Sequence, residues 1–282
     1  MTVRSVSAVV GRRPGDHVGA TYRDTAELVE LAVPFLAEGL ARNARVAWVG
    51  GDAHDEILAG LAGVVAVGRA VDDGRIVMIP ASDLPAPDPE RWPEEAVDVV
   101  RALTVAAVAD GLTGLRVVSD NTAQITGPDA RSAYLRAEHL VDRLCRDLPY
   151  TALCAYDATR LGAGAADAFA GAHTLIHRPA TQIQLCADAV GHLALAGSID
   201  AFNVDTLAEL LHAAIRPPAP DPVVIDVGDL DFTSHHGLLT LDEHARRCGT
   251  TIELHHHRPG LARLAEPLDL DAVQLVAPRV AG

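Results

Sequence analysis

The chain contains no lysine: all 23 of its basic residues are arginine. That absence excludes a Schiff-base lysine, a lysine general base and the cation of a phosphate-binding loop. Aromatic residues are scarce, at 4% of 282 positions. No uncharged apolar run approaches the ~18 residues that a membrane span needs, and the opening MTVRSVSAVVGRRPGDH lacks the apolar segment of a signal peptide. Cys145, Cys154, Cys186 and Cys248 form no C-x-x-C pair and sit in apolar segments, so they read as small hydrophobes. A basic stripe is missing as well. Of the net charge of −15, residues 1–178 carry −7 and residues 179–282 carry −8, which argues against nucleic acid and against anionic membranes as partners. A soluble cytoplasmic protein with reduced thiols is expected.

Catalytic signatures are missing too. G-x-S-x-G, H-E-x-x-H, G-x-G-x-x-G and G-x-x-x-x-G-K-[ST] do not occur. The Glu94–Glu95 pair falls in the first turn of a predicted helix, where acids complement the helix dipole. We therefore expect no enzyme, no catalytic residue and no cofactor.

What is present is an apolar, globular composition, 49% hydrophobic, long enough for two domains. The best boundary is HRPATQ, 177–182. A helical pattern, ADAFAGAHTLIH, runs up to it, Pro179 disfavours helix at Arg178, and an alternating strand, TQIQLCA, follows. Domains at 1–178 and 181–282 are expected. In the first, strands (17–22, 44–50, VVAVG at 64–68, RIVMIP, LRVVSDN, YTALCAYDA) alternate with helices. Asp24 and Glu27 form a variant capping box ahead of the first helix, whose apolar face is Leu28, Leu31, Ala32, Phe35 and Leu36. That rhythm predicts an α/β domain: a mostly parallel sheet covered by helices on both faces, with any ligand outside the carboxyl ends of its strands.

The run GDHVGATYRDTAELVELAVPFLAEGLARNARVAWVG resembles the start of the MEDS sensory domain, and the resemblance extends over about residues 14–177. It implies a three-layer α/β/α fold related to the RecA/KaiC nucleotide-binding fold. Here the first turn, YRDTAE, has neither glycine nor lysine, so a triphosphate would meet an acidic turn without a nest of amides. Small-molecule sensing is implied, with His17, Tyr22, Asp24 and Asp120 as the expected pocket residues.

From Thr181 onward the expected order is strand (181–187), strand (192–197), helix (203–215), strand (223–227), helix (237–248), strand (251–256), helix (260–265), strand (273–276). GHLALAGSIDAFNVDTLAELL and VVIDVGDLDFTSHHGLLTLDEHARRCGTTIEL resemble the STAS domain of anti-sigma-factor antagonists, with Gly197, Ile199, Asp200, Asp226, Phe232, Gly237 and Leu238 at matching positions. The resemblance implies an α/β STAS fold and a partner that is an anti-sigma factor and serine kinase of the partner-switching type. In that family the kinase phosphorylates the first serine of Asp-Ser-Ser-Gly at a helix start. Here Ser234 takes the aspartate position, His235 the phosphoacceptor position and His236 the second serine. The partner-binding turn is expected to comprise Asp200, Asp231, Thr233, Ser234, His235, His236 and Gly237.

Three readings of that turn stay open. The switch is lost and the domain binds constitutively; Ser234 or Thr233 takes over as acceptor; or His235 and His236 meet His255, His256 or His257 in a metal- or pH-sensitive element. Two alternatives to a regulator also stand. One is a small-molecule-binding protein whose STAS-like half serves structure or oligomerisation. The other is a weak nucleotide-dependent enzyme built on the first half.

Overall fold

A computed structural model describes residues 3–51, 53–83, 90–178, 181–187, 192–255 and 259–277. Two sheets organise it. The first comprises β1 (Ser5–Val6), β2 (His17–Tyr22), β3 (Arg45–Gly50), β4 (Ile76–Ile79), β5 (Leu115–Asp120), β6 (Tyr150–Asp157) and β7 (Leu175–His177). Their order is β1-β7-β2-β6-β5-β3-β4, and every pairing is parallel.

The helices of this half are α1 (Thr25–Ala41), α2 (His54–Ala62), α3 (Val67–Asp72), α4 (Trp92–Ala109), α5 (Pro128–Asp147), α6 (Ala158–Leu161) and α7 (Ala163–Gly171). Strand alternation divides the sheet's residues between two helix layers. Leu153 and Ala155 of β6 join Val18, Ala20, Val46 and Trp48 in a core under α1 and α2. Ala152, Cys154 and Tyr156 of the same strand face the other way, into a core with α4, α5 and α7. Asp24 caps α1 by accepting the Glu27 N–H at 2.9 Å, as expected. Glu27 reaches back one residue further than in a capping box, to the Arg23 N–H at 2.9 Å.

The second sheet holds β8 (Ile183–Ala187), β9 (Leu193–Ile199), β10 (Val223–Asp226), β11 (Leu230–Thr233), β12 (Ile252–His255) and β13 (Val273–Val276), with α8 (Val204–Ala214), α9 (His235–Cys248) and α10 (Pro259–Ala265). β8 is antiparallel to β9, and the other pairs are parallel. β10 pairs with the start of β9 and β11 with its end, so these two short strands lie one after the other along it.

Several sequence expectations are corrected. VVAVG is not a strand. Val64 is 55% exposed, Val67 opens α3, and the sheet edge beyond β3 is taken by β4. The helical reading of 166–177 ends at Gly171; Leu175–His177 is a strand that fills the edge of β2. β11 is an additional strand, and α9 starts at His235, two residues before the expected position.

The two halves are not separate cores. Ala168, Phe169 and Ala172 share one buried cluster with Leu185, Leu195, Leu207, Leu210 and Leu211. α5 packs on α8, and α7 on both α8 and β8. Gly171 gives Leu210 its seat: a Cβ there would lie 3.4 Å from the Leu210 methyl and 2.7 Å from the Ile183 carbonyl oxygen.

Both tryptophans, Trp48 and Trp92, lie in the first half. Leu210→Ala, at a fully buried site in the second half, should cost about 2–5 kcal/mol. Its denaturation midpoint, followed by tryptophan fluorescence, should fall. An unchanged fluorescence midpoint would mean that the halves unfold independently.

Candidate functional site

Two places concentrate unusual chemistry. The first is in the layer between the first sheet and α4, α5 and α7. A cavity of about 420 Å³ opens there, walled by Ala47, Val49 and Val117 of the sheet, by Trp92, Val97, Val100 and Leu103 of α4, and by Tyr134 and Val141 of α5. Its polar wall includes Ser119, Asn121, Glu138 and Cys154. A mostly apolar hollow with a few polar groups is the usual form of a small-molecule site.

None of His17, Tyr22, Asp24 or Asp120 lines that cavity. Tyr22 and Asp120 are brought together: the tyrosine hydroxyl donates to Asp120 Oδ2 at 2.8 Å, and Thr122 N–H donates to Oδ1 at 3.2 Å. Burial, and then the Asp120 charge, push the Tyr22 hydroxyl above its ordinary pKa. Asp24 is an exposed helix cap. His17 is fully buried and belongs to a different group.

That group is His17 (β2), Glu138 (α5), Cys154 (β6) and His173, just beyond α7. One donor atom from each lies within 4.8 Å of the others, and all four residues are buried. His17 Nε2 lies 3.1 Å from Glu138 Oε2 and 3.4 Å from Cys154 Sγ. His173 Nε2 is 3.3 Å from the same carboxylate oxygen, and Cys154 Sγ donates to it at 3.3 Å. Each group is also held from behind. His17 Nδ1 donates to Asp142 Oδ1 at 2.5 Å, His173 Nδ1 donates to the Phe169 carbonyl at 2.7 Å, and Tyr156 O–H donates to Glu138 Oε1.

The electrostatics of these groups are coupled. Burial opposes protonation of His17, but Cys154 and Asp142 outweigh it and hold its pKa well above the ordinary value. Burial likewise opposes protonation of His173, and Glu138 lifts it to about 9. Glu138 would be raised by burial, but His173 and His17 hold it well below the carboxylate range. Sequence reasoning missed this group because Cys154 looked like one more small residue in an apolar strand. The available signal was Glu138 and Asp142 one turn apart on a helix face that also carries Ala137 and Val141.

The second place is the junction of β11 and α9. Ser234 is the N-cap, with extended backbone at φ −82° and ψ 168° and no capping bond from its side chain. His235 and His236 form the first helical turn. Both are exposed, and their rings lie 3.9 Å apart between centroids, tilted by 39°. Asp231 and Phe232 precede them on the surface, Phe232 at 54% exposure, and Phe202 nearby in sequence to Asp200 is 97% exposed. Asp200 Oδ1 accepts the Phe202 N–H at 2.8 Å.

The hydroxyls beside the histidines face inward. Thr233 is 8% exposed, and Ser234 Oγ is buried without a hydrogen-bond partner. Gly237 allows this close approach: a Cβ there would meet Thr233 Oγ1 at 2.4 Å and Ile199 Cγ2 at 2.9 Å.

The expected approach of His255 to this turn is corrected. His255 pairs with Asp226, whose β9 partner is Ala194, whereas Thr233 pairs with Ile199. Five residues along β9 is roughly 16 Å, and His255 Nε2 is 3.3 Å from Glu253. His256 and His257 lie outside the described residues. No helix among the described residues is long and apolar enough to cross a membrane.

Comparison with known proteins adds three findings. A family model described as the methanogen/methylotroph, DcmR sensory domain (MEDS) matches residues 16–174. A second, described as Mlab, STAS domain, matches residues 186–277. Over 88 residues the chain is 35% identical to Rv2638 of Mycobacterium tuberculosis, a candidate anti-anti-sigma factor; the match takes in 30% of this chain and 60% of that protein. The chain thus spans less than two thirds of the length of this curated relative.

An apolar cavity of this size should bind a small apolar probe. Benzene-saturated buffer should raise the thermal midpoint of the full chain, and Ala96→Phe, which fills the cavity from α4, should remove the effect. An equal rise in both proteins would place the benzene elsewhere.

Proposed function

We propose a function from one premise: the chain belongs to the MEDS sensory-domain family and carries a STAS domain in its second half. The protein is a non-enzymatic regulator of the anti-sigma-factor-antagonist type. Its first half takes a small ligand in the cavity beside α4, and its second half docks an anti-sigma factor or kinase at the β11–α9 junction. The name of the mycobacterial relative supports the second role.

The observation that carries the reading is the orientation of the turn. Docking at a helix start is normally ended by phosphorylating a hydroxyl there, which adds about two negative charges to a packed interface. In this chain the side chains presented outward are His235 and His236, while Ser234 Oγ and Thr233 lie beneath them. A kinase that deprotonates an alcohol meets imidazole. The switch by phosphorylation is therefore lost, docking is constitutive, and control passes to the sensory half through the shared core.

The core shared by α5, α7, α8 and β8 also favours a second reading, in which the STAS half buttresses a ligand-binding protein and docks nothing. One experiment separates the two. The full chain is incubated with a serine kinase of the partner-switching type and ATP, and both phosphate incorporation and complex formation are followed. The wild type should bind and stay bound without incorporating phosphate. His235→Ser should become phosphorylated and dissociate. Phosphate on Ser234 or Thr233 of the wild type would refute loss of the switch. Failure of the folded wild type to bind any kinase of this class would favour the second reading.

A further inference from the structure

We propose that His17, Glu138, Cys154 and His173 form a four-ligand site for a divalent transition-metal ion of borderline softness, zinc first, on the inner wall of the cavity. The proposal concerns the first half and does not depend on what the turn docks.

The geometry is the first ground. Ligands held about 2.0–2.3 Å from a tetrahedral ion lie about 3.3–3.7 Å from one another. Four of the six separations among the donor atoms are 3.1, 3.3, 3.3 and 3.4 Å, and all six are within 4.8 Å. Two imidazoles, one thiol and one carboxylate form a mixed N/S/O set of the kind zinc accepts.

The orientation of the histidines is the second. A metal-binding imidazole ordinarily donates its other ring N–H to a carboxylate or carbonyl. Here both do: His17 Nδ1 to Asp142 at 2.5 Å and His173 Nδ1 to the Phe169 carbonyl at 2.7 Å. Because both Nδ1 atoms donate backwards, both Nε2 atoms face the group, where a bound ion would take the place of the proton on each. His173 Nε2 is fully buried and makes no directed hydrogen bond, although it lies 3.3 Å from Glu138 Oε2. Glu138 is fixed by the Tyr156 hydroxyl.

The seat of His173 is the third. A Cβ on Gly19 would lie 2.7 Å from His173 Nδ1 and 2.8 Å from its Cγ. β2 therefore has no side chain at the one position where an imidazole must lie flat on the sheet, and His173 closes on His17 at 4.2 Å between ring centroids.

Charge is the fourth. Glu138 and Asp142 are buried carboxylates, at 5% and 4% exposure, and burying uncompensated charge is costly. Without an ion that charge is met by protons on the histidine Nε2 atoms. A bound dication would replace those protons and the Cys154 thiol proton, all released to solvent. Its two charges match the Glu138 carboxylate and the Cys154 thiolate, while Asp142 keeps the His17 Nδ1–H and the Ala187 N–H. Because Glu138 and Cys154 also face the cavity, the ion would sit where a cavity ligand is felt. The same ligands hold the second half: Asp142 Oδ2 accepts the Ala187 N–H at 3.2 Å, and the His173 carbonyl accepts Gln184 Nε2 at 2.5 Å.

The test uses the full chain. After expression with added zinc and exhaustive dialysis, elemental analysis should find about one zinc per chain. Replacement by cobalt should give the absorption of a tetrahedral ion with a thiolate-to-cobalt charge-transfer band. Cys154→Ser should lose that band. Asp142→Asn, which keeps the shape but weakens the hold on His17, should lower zinc affinity about 10–100-fold. Folding of each variant is checked by circular dichroism. A folded wild-type chain that retains no zinc and shows no thiolate–cobalt band would overturn the proposal, leaving a proton-sharing cluster. So would a charge-transfer band that persists in Cys154→Ser.

Discussion

Asp142 joins what would otherwise be two structures. One of its carboxylate oxygens orients the imidazole of His17, and the other accepts the backbone N–H of Ala187 at the end of β8. It is buried, so each bond replaces water that the group has lost, and neither can be given up without leaving a buried polar group unsatisfied. This ties the orientation of a side chain in the first half to the position of a strand in the second. The apolar packing of α5 and α7 on α8 and β8 makes the same connection without direction; the carboxylate supplies direction.

The separation of roles follows from sheet geometry. In the first half, alternation along β6 sends Cys154 and Tyr156 to one helix layer and Leu153 and Ala155 to the other. A polar group assembled on the α5 side therefore leaves the opposite core mostly apolar, its buried charge being Arg116, which lies over Phe35 and pairs with Glu38 of α1. In the second half, β11 ends directly in the N-cap of α9. That junction needs Gly237, because the helix starts within contact distance of Thr233 and Ile199. Gly237 serves the backbone's close approach, while His235 and His236 before it are exposed, so their side chains are not fixed by packing.

Much of the architecture was legible in the sequence for specific reasons. Parallel strands buried on both faces read as continuous apolar runs between helices with caps and Pro or Gly ends, and the motifs from Gly197 to Leu238 marked the second half. What escaped reading was set by contacts distant in sequence. Leu175–His177 continues a helical pattern and becomes a strand only because β2 has an open edge. Val64, Val65 and Val67 are β-branched, as strands favour, yet β4 already occupies the place beside β3. The pocket residues were read from strand ends, where parallel sheets usually bind. The cavity instead lies against the face of the sheet, under α4. The cluster of His17, Glu138, Cys154 and His173 draws on four separate segments, and no spacing rule reaches across them.

Communication between the cavity and the docking turn requires a continuous physical route and an element with two arrangements. The route is present. Gln184 and Ala187 of β8 bond the His173 carbonyl and Asp142; β8 pairs with β9 from Leu193 to Gly197; and β9 pairs with β11 through Gly197, Ser198 and Ile199. The last bond of the series is Ser234 N–H to the Ile199 carbonyl, at 2.9 Å, directly beneath the outward histidines. The strands between are mostly buried, and the route crosses an irregularity where the β9–β11 register shifts between Leu230 and Phe232 and Gly197 takes a φ of 95°. The element with two arrangements would lie at the other end, among the side chains around Glu138, where an ion or a cavity ligand changes which groups carry charge. A shift of Asp142 or His173 by a few tenths of an ångström would be felt by β8, most directly through the buried Gln184 bond to the His173 carbonyl and also through the part-buried Ala187 bond to Asp142. Regulation through this path would need no phosphoacceptor at the turn, in keeping with the function proposed above.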